Sequence, residues 1–94
     1  MFDRRDWSGV SNSEVAWLLA DVARPCLRRR ERQLIYLEIG GGDPAAAVEV
    51  LLQKVVQRDF PLPIGVRRIL EIWLDAYTGA AEEPRLRSLL RQMN

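Results

Sequence analysis

Three consecutive glycines, followed by an aspartate and a proline, stand between two apolar segments near the middle of the chain, at Gly40 to Pro44. Because glycine adopts backbone conformations closed to other residues, the run is compatible with two structures. It can form the turn of a strand-loop-helix unit whose free N–H groups cradle a nucleotide phosphate. It can instead join two helices, with Gly40 in the left-handed position, Asp43 as the next cap and Pro44 in the first turn. The choice decides both fold class and function class.

With Leu37, Glu38 and Ile39 in front of it, the run resembles the first motif of S-adenosylmethionine-dependent methyltransferases, in which a strand ends in an acidic residue before the glycine turn. A doubly wound sheet of that kind needs several strand-helix units, and about twice the 94 residues of this chain. Asp43 also places a carboxylate where a phosphate would have to bind. We therefore predict a joint between helices and no bound cofactor.

The segment in front of the glycines, Leu34 to Ile39, is compatible with either a strand or a helix. Its alternating apolar residues are typical of a short strand, but they also fit a helix that glycine ends. Arg28 to Gln33 are good helix formers, and no other segment has the pattern of a strand that would pair with this one. The helix is the favoured interpretation.

Four further segments have the apolar spacing of short helices. The stripes are Val15, Leu18, Leu19, Val22 and Cys26; Val48, Leu51, Leu52 and Val55; Val66, Leu70, Trp73 and Tyr77; and Leu86, Leu89, Leu90 and Met93. Ser11 and Glu14 form a capping box, with Val10 placed for a hydrophobic staple, and Phe60 to Pro63 form a stiff connector. Thr78 and Gly79 are expected to end the fourth helix. We predict one all-α domain at 1–94, a compact bundle of four or five short helices, with 1–10 as a loosely ordered N-terminal arm.

Charge and composition argue against several classes of function. The chain has 14 Lys and Arg against 13 Asp and Glu, so a net charge of +1 gives no global attraction to nucleic acid or membranes. It has no histidine, the commonest general base and metal ligand near neutral pH. The single cysteine, Cys26, cannot form an internal disulfide and is expected to be a small buried residue. We expect a cytoplasmic protein that is not an enzyme, with no metal and no membrane partner.

The C-terminal half carries a weak family likeness. Trp73 to Gly79, followed by Glu83 to Leu90, resembles the C-terminal half of small uncharacterised helical proteins from actinobacterial genomes. The resemblance implies a helical fold and a bacterial source. It implies no activity, cofactor or catalytic residue.

Positive charge is concentrated in one short segment. Five arginines and one acidic residue, Glu31, fall between positions 24 and 32: the arginines are Arg24, Arg28, Arg29, Arg30 and Arg32. If a new helix starts at Pro25, cations near its positive end cost about 0.3–1 kcal/mol each. If Pro25 only kinks a continuous helix, the arginines lie mid-helix and pair with Asp21 and Glu31. We expect the kinked helix, and the alternative is an anion-facing patch.

A tryptophan occupies the side of the first helix opposite its predicted core stripe. Trp17 lies there near Ala20, Asp21 and Arg24. It can pack against a second helix of the bundle. Alternatively, it can anchor a protein interface, which a partner can approach closely because the Ala20 side chain is small.

We therefore predict a non-catalytic regulatory, adaptor or self-associating module that binds a protein partner or another copy of itself. The predicted interaction surface consists of Trp17, Arg24, Arg28, Arg29, Arg30 and Arg32. The alternative is a nucleic-acid-binding accessory protein that uses the arginine cluster, although no aromatic residue lies between the arginines to stack on bases.

Overall fold

The computed structural model describes residues 11–76 and 82–93. These residues form five α-helices, which are α1 (Asn12–Val22), α2 (Arg29–Gly40), α3 (Pro44–Gln57), α4 (Ile64–Asp75) and α5 (Glu83–Gln92). A short 3₁₀ turn at Arg24–Cys26 lies between α1 and α2. The two ranges contain no strand, so the predicted all-α fold is confirmed. The predicted N-terminal arm at 1–10 lies outside the described residues, as do Val10, Tyr77, Thr78 and Gly79.

The central helix of the bundle is α3, which packs against α1, α2 and α5. Its inward side is fully buried and consists of Ala47, Val48, Leu51, Leu52 and Val55. The predicted apolar stripe of this helix is therefore confirmed. Because apolar residues recur every three or four positions, one side of α3 is apolar along its whole length and the other helices collect around it.

The start of α1 has the predicted capping box. The Ser11 hydroxyl accepts a hydrogen bond from the Glu14 N–H at 3.1 Å, and the Ser11 N–H donates to the Glu14 carboxylate at 3.0 Å. The donors of both bonds are backbone N–H groups, which have no carbonyl partner within the first turn of a helix.

The core-facing side of α1 matches the predicted one in part: Val15 and Leu19 are buried, and Val22 and Cys26 pack against the core. The buried residues of this helix and its C-cap are Val15, Ala16, Leu19, Ala20 and Ala23. Leu18 and Val22, which were predicted to face the core, are only partly buried. The alanines let the backbone of α1 approach α3 closely, and such close packing determines which side turns inward. The prediction that Ala20 borders an open surface beside Trp17 is therefore wrong.

The glycine run joins two helices, as predicted. Leu34 to Ile39 are helical, α2 continues through Gly40, and the Asp43 carboxylate caps the first turn of α3. The left-handed residue is Gly42, with a φ of 101°, and not Gly40 as predicted. The helix runs two residues further than expected because the Gly42 and Asp43 N–H groups close its end on carbonyls of the preceding turn.

The remaining elements complete the core. In the connector after α3, Leu62 is buried and Phe60 packs against the core. The indole N–H of the buried Trp73 in α4 donates to the Asn12 side-chain oxygen at 2.9 Å, which ties α4 to the first residue of α1. Every helix in the described ranges is too short or too polar to cross a lipid bilayer.

Candidate interaction surface

At the edge of the bundle, α2 has an apolar side that none of the other four described helices covers. It packs against α1 and α3, and only Ile35 and Ile39 among its side chains are buried. Leu34 and Leu37 lie on the outer side, with 60% and 71% of their surfaces exposed. Being three residues apart, they are neighbours on the helix. Adjacent large apolar side chains are typical of a binding surface, whereas single exposed ones are common on any protein.

Trp17 of α1 extends this apolar area. Its ring lies 5.5 Å from the ring of Tyr36, centroid to centroid, at an interplanar angle of 33°. Tyr36 is half-buried against the core, while 47% of the Trp17 surface remains exposed. Trp17 therefore packs against a second helix and also faces solvent. Hereafter, the α2 surface means Trp17, Leu34, Tyr36 and Leu37.

The five clustered arginines lie at the start of α2. Pro25 lies in the 3₁₀ turn and α1 ends at Val22, so the predicted kinked but continuous helix is wrong. Proline lacks the N–H that a continuing helix needs, and its ring disfavours helical geometry in the residue before it. The arginines lie in the 3₁₀ turn, at the N-cap of α2 and in its first turns, and all but Arg32 are exposed.

Glu31, the acidic residue of the cluster, binds residues at the C-terminal end of α3. The Glu31 carboxylate accepts two hydrogen bonds from the Arg58 guanidinium, each 2.7 Å long, and lies 3.4 Å from the Lys54 ammonium. Arg58 also donates to the Cys26 carbonyl at 2.7 Å. Arg58 follows α3 directly, so these bonds join the end of α3 to the beginning of α2. Hereafter, the clasp means the bonds of Arg58 and Lys54 to Glu31 and of Arg58 to Cys26.

The clasp leaves the arginine cluster without a neutralising partner. The predicted pairing of the arginines with Asp21 and Glu31 is wrong, because the charged partners of the Glu31 carboxylate are Arg58 and Lys54, and within the cluster only the Arg28 backbone N–H donates to it, at 2.8 Å. Across 11–76 and 82–93, no ion pair joins any of the five arginines to a carboxylate. The cluster therefore presents uncompensated positive charge beside the α2 surface.

The clasp also shifts the acidity of its members. The hydrogen bonds from Arg58 hold the pKa of Glu31 well below its ordinary value of 4.5, and the same pairing raises the pKa of Arg58. Burial raises the pKa of the Cys26 thiol, and the positive charge of Arg58 offsets part of this increase. Cys26 therefore stays a protonated thiol near neutral pH; it packs against the core as a small apolar residue, but it is only partly buried and not buried as predicted.

Replacing Glu31 by glutamine should destabilise the fold at neutral pH and much less in acid. The folded-state pKa of Glu31 lies below its ordinary value of 4.5, so its stabilisation is present above that pH and is lost as the pH falls toward the folded-state pKa. Urea unfolding at about pH 7 and about pH 3 measures the difference. Glu71→Gln, at an exposed carboxylate of α4, is the control and should change neither value. An equal loss for Glu31→Gln at both pH values would show that its charge is unimportant.

Sequence reasoning found Trp17 and the arginines but missed the leucines, Tyr36 and Arg58. A signal for the leucines was present: the pair Ile35 and Ile39 supplies a core face by itself, which leaves Leu34 and Leu37 on the outer side. No signal indicated Arg58, which lies 27 residues from Glu31.

The candidate surface combines apolar side chains with cationic ones. Apolar side chains lie exposed next to unpaired cations, and the described residues include no group of three or more potential metal ligands. Searches against protein-family models, curated proteins and solved structures find no match to this chain. Of the resemblance noted for the C-terminal half, the helical fold alone is supported.

Proposed function

We propose that this chain is a non-catalytic protein-interaction module and that the α2 surface is its binding site. The observation that carries the proposal is the exposure of Leu34 and Leu37 beside Trp17, on a helix that already has its own buried face. Covering such side chains removes apolar area from water, which contributes roughly 25 cal/mol per Å² before the costs of association.

The composition of the surface fits this role. Protein interfaces are enriched in Trp, Tyr and Arg, and the residues that contribute most to affinity are often aromatic side chains and arginines. Trp17 and Tyr36 contact each other, so the Tyr36 ring limits the freedom of the Trp17 ring before a partner arrives. The two rings supply rigid contact area at a low entropic cost.

The charge beside the surface defines the chemistry of the partner. Arg30 precedes Leu34 by four residues and Leu37 by seven, so the three lie in one row along α2. Arg29 lies next to this row, and neither arginine is paired within the described ranges. The complementary surface therefore combines apolar side chains with carboxylates.

The proposal is tested on any protein that binds this chain in purified form, the chain itself included. Trp17→Ala and Leu37→Ser should each weaken that binding by about 10-fold or more, since they remove contact area at the centre of the site. Ile64→Ser is the matched control, because Ile64 is 77% exposed but lies at the start of α4. Isothermal titration calorimetry measures the affinities, and circular dichroism verifies that each variant stays helical.

Two results would contradict the proposal. One is a purified partner whose affinity is the same for wild type, Trp17→Ala and Leu37→Ser. The other is retention on nucleic acid at low salt that is lost in the double variant Arg29→Gln/Arg30→Gln, with no protein ligand found. The second result would favour the nucleic-acid alternative, which the unpaired arginines also support.

A further inference from the structure

The outer side of α2 carries a row of residues with the spacing of a helix-pairing seam. Arg30, Leu34, Leu37 and Gly41 are separated by four, three and four positions, and all four are exposed. Alternating steps of three and four are the a and d spacing by which two helices pack side by side. The row is opposite Ile35 and Ile39, so a second helix can lie on it without disturbing the core.

The charges of α2 are unequal at its two ends. Arg28, Arg29 and Arg30 stand at the N-terminal end, where the helix dipole is already positive. Glu38 and Asp43 stand at the C-terminal end, where the dipole is negative. The N-terminal end of α2 therefore has excess positive charge and the C-terminal end has excess negative charge. Placing the N-terminal end of one α2 helix beside the C-terminal end of another would be electrostatically favourable.

We infer that the partner on the α2 surface is a second copy of this chain, with the two α2 helices antiparallel about a two-fold axis. This inference rests on the proposed function. A two-fold axis between positions 35 and 36 places Leu34 of each copy on Leu37 of the other. The same axis places Arg30 on Gly41 of the other copy. The basic end of each helix then meets the acidic end of its partner.

Two features favour a second copy over an unrelated protein. The surface is self-complementary, because Leu34 and Leu37 supply the apolar centre while the basic N-terminal end and the acidic C-terminal end of the same helix supply the opposite charges that an isologous contact requires. The glycines at the C-terminal end have no side chains, so an incoming arginine reaches the carbonyl end of the partner helix. A parallel pair would instead place arginines against arginines.

Sedimentation equilibrium of the full chain, at protein concentrations up to about 1 mM, tests the inference. We expect a dimer whose Kd rises about 100-fold or more for Leu37→Glu, because the two-fold axis makes each substitution act twice. Ile64→Glu introduces the same charge at an exposed apolar site on α4 and should leave the dimer unchanged.

Arg30→Glu tests the antiparallel direction. It should weaken the dimer about 10-fold, since it places a carboxylate at the negative end of the partner helix. Arg68→Glu makes the same charge change at an exposed position of α4 and is the control. An unchanged or tighter dimer for Arg30→Glu would overturn the antiparallel arrangement.

The failures of the two proposals are distinguishable. A chain that stays monomeric, while a different purified protein loses affinity for Leu37→Ser, would overturn the dimer and keep the interaction module. A dimer that is insensitive to Leu37→Glu would overturn both. A monomer with no protein ligand sensitive to the α2 surface would also overturn both.

Discussion

Leu51→Ala should lower the free energy of unfolding by about 2–5 kcal/mol. Leu51 is fully buried on α3, the helix against which α1, α2 and α5 pack. The substitution removes apolar contacts and leaves a cavity that the surrounding helices close only in part. For 94 residues the total stability is expected to be about 5–14 kcal/mol, so the variant loses a large share of it.

Urea unfolding followed by circular dichroism measures this loss as a lower midpoint with an unchanged slope. Ile64→Ala is the control, because it also truncates a large aliphatic side chain but at a site that is 77% exposed. Its effect should stay within about 0.5 kcal/mol. Similar losses for the two variants would contradict a core centred on α3.

Gly42→Ala should destabilise the protein by about 1–3 kcal/mol. With a φ of 101°, Gly42 has a backbone conformation that residues with a side chain rarely adopt. No atom lies within 4 Å of where the new methyl group would stand, so the cost comes from the backbone and not from a clash. The same urea titration measures it.

Gly40→Ala is the matched control for the joint. Gly40 is the last residue of α2, and an added methyl group there would also meet nothing within 4 Å. Because alanine favours the helix over glycine by about 0.5–1 kcal/mol in a helix interior, this variant should be neutral or more stable. If Gly40→Ala were the more damaging of the two, the left-handed position would have to be reassigned to Gly40.

Features that depend on neighbouring residues could be predicted from the sequence. The capping box of Ser11 and Glu14, the role of Asp43 as a cap and the buried stripe of α3 are all confirmed. Each depends on residues within one or two turns of the same helix. The identity of the left-handed glycine was missed by two residues, because three glycines in a row permit the helix to end at any of them.

Features that depend on packing between helices could not be predicted in the same way. Large side chains indicated the core-facing side of α1 only in part, because Ala16, Ala20 and Ala23 add little to an apolar pattern although they are buried. The partner of Glu31 was misassigned because nearby arginines mask a distant one, Arg58. Whether a carboxylate compensates the positive charge of the arginine cluster depends on that single assignment.

The clasp of Arg58 on Glu31 and Cys26 has a consequence for any association at the outer helix. The clasp holds the beginning of α2, and the Asp43 N–H holds its end by donating to the Glu38 carbonyl, so both ends of α2 have fixed contacts before anything binds. Little backbone freedom is left to lose when a ligand docks, so the entropic penalty falls mainly on the side chains of Trp17, Leu34 and Leu37. A preorganised helix of this kind gives tighter complexes than a flexible segment with the same contacts would.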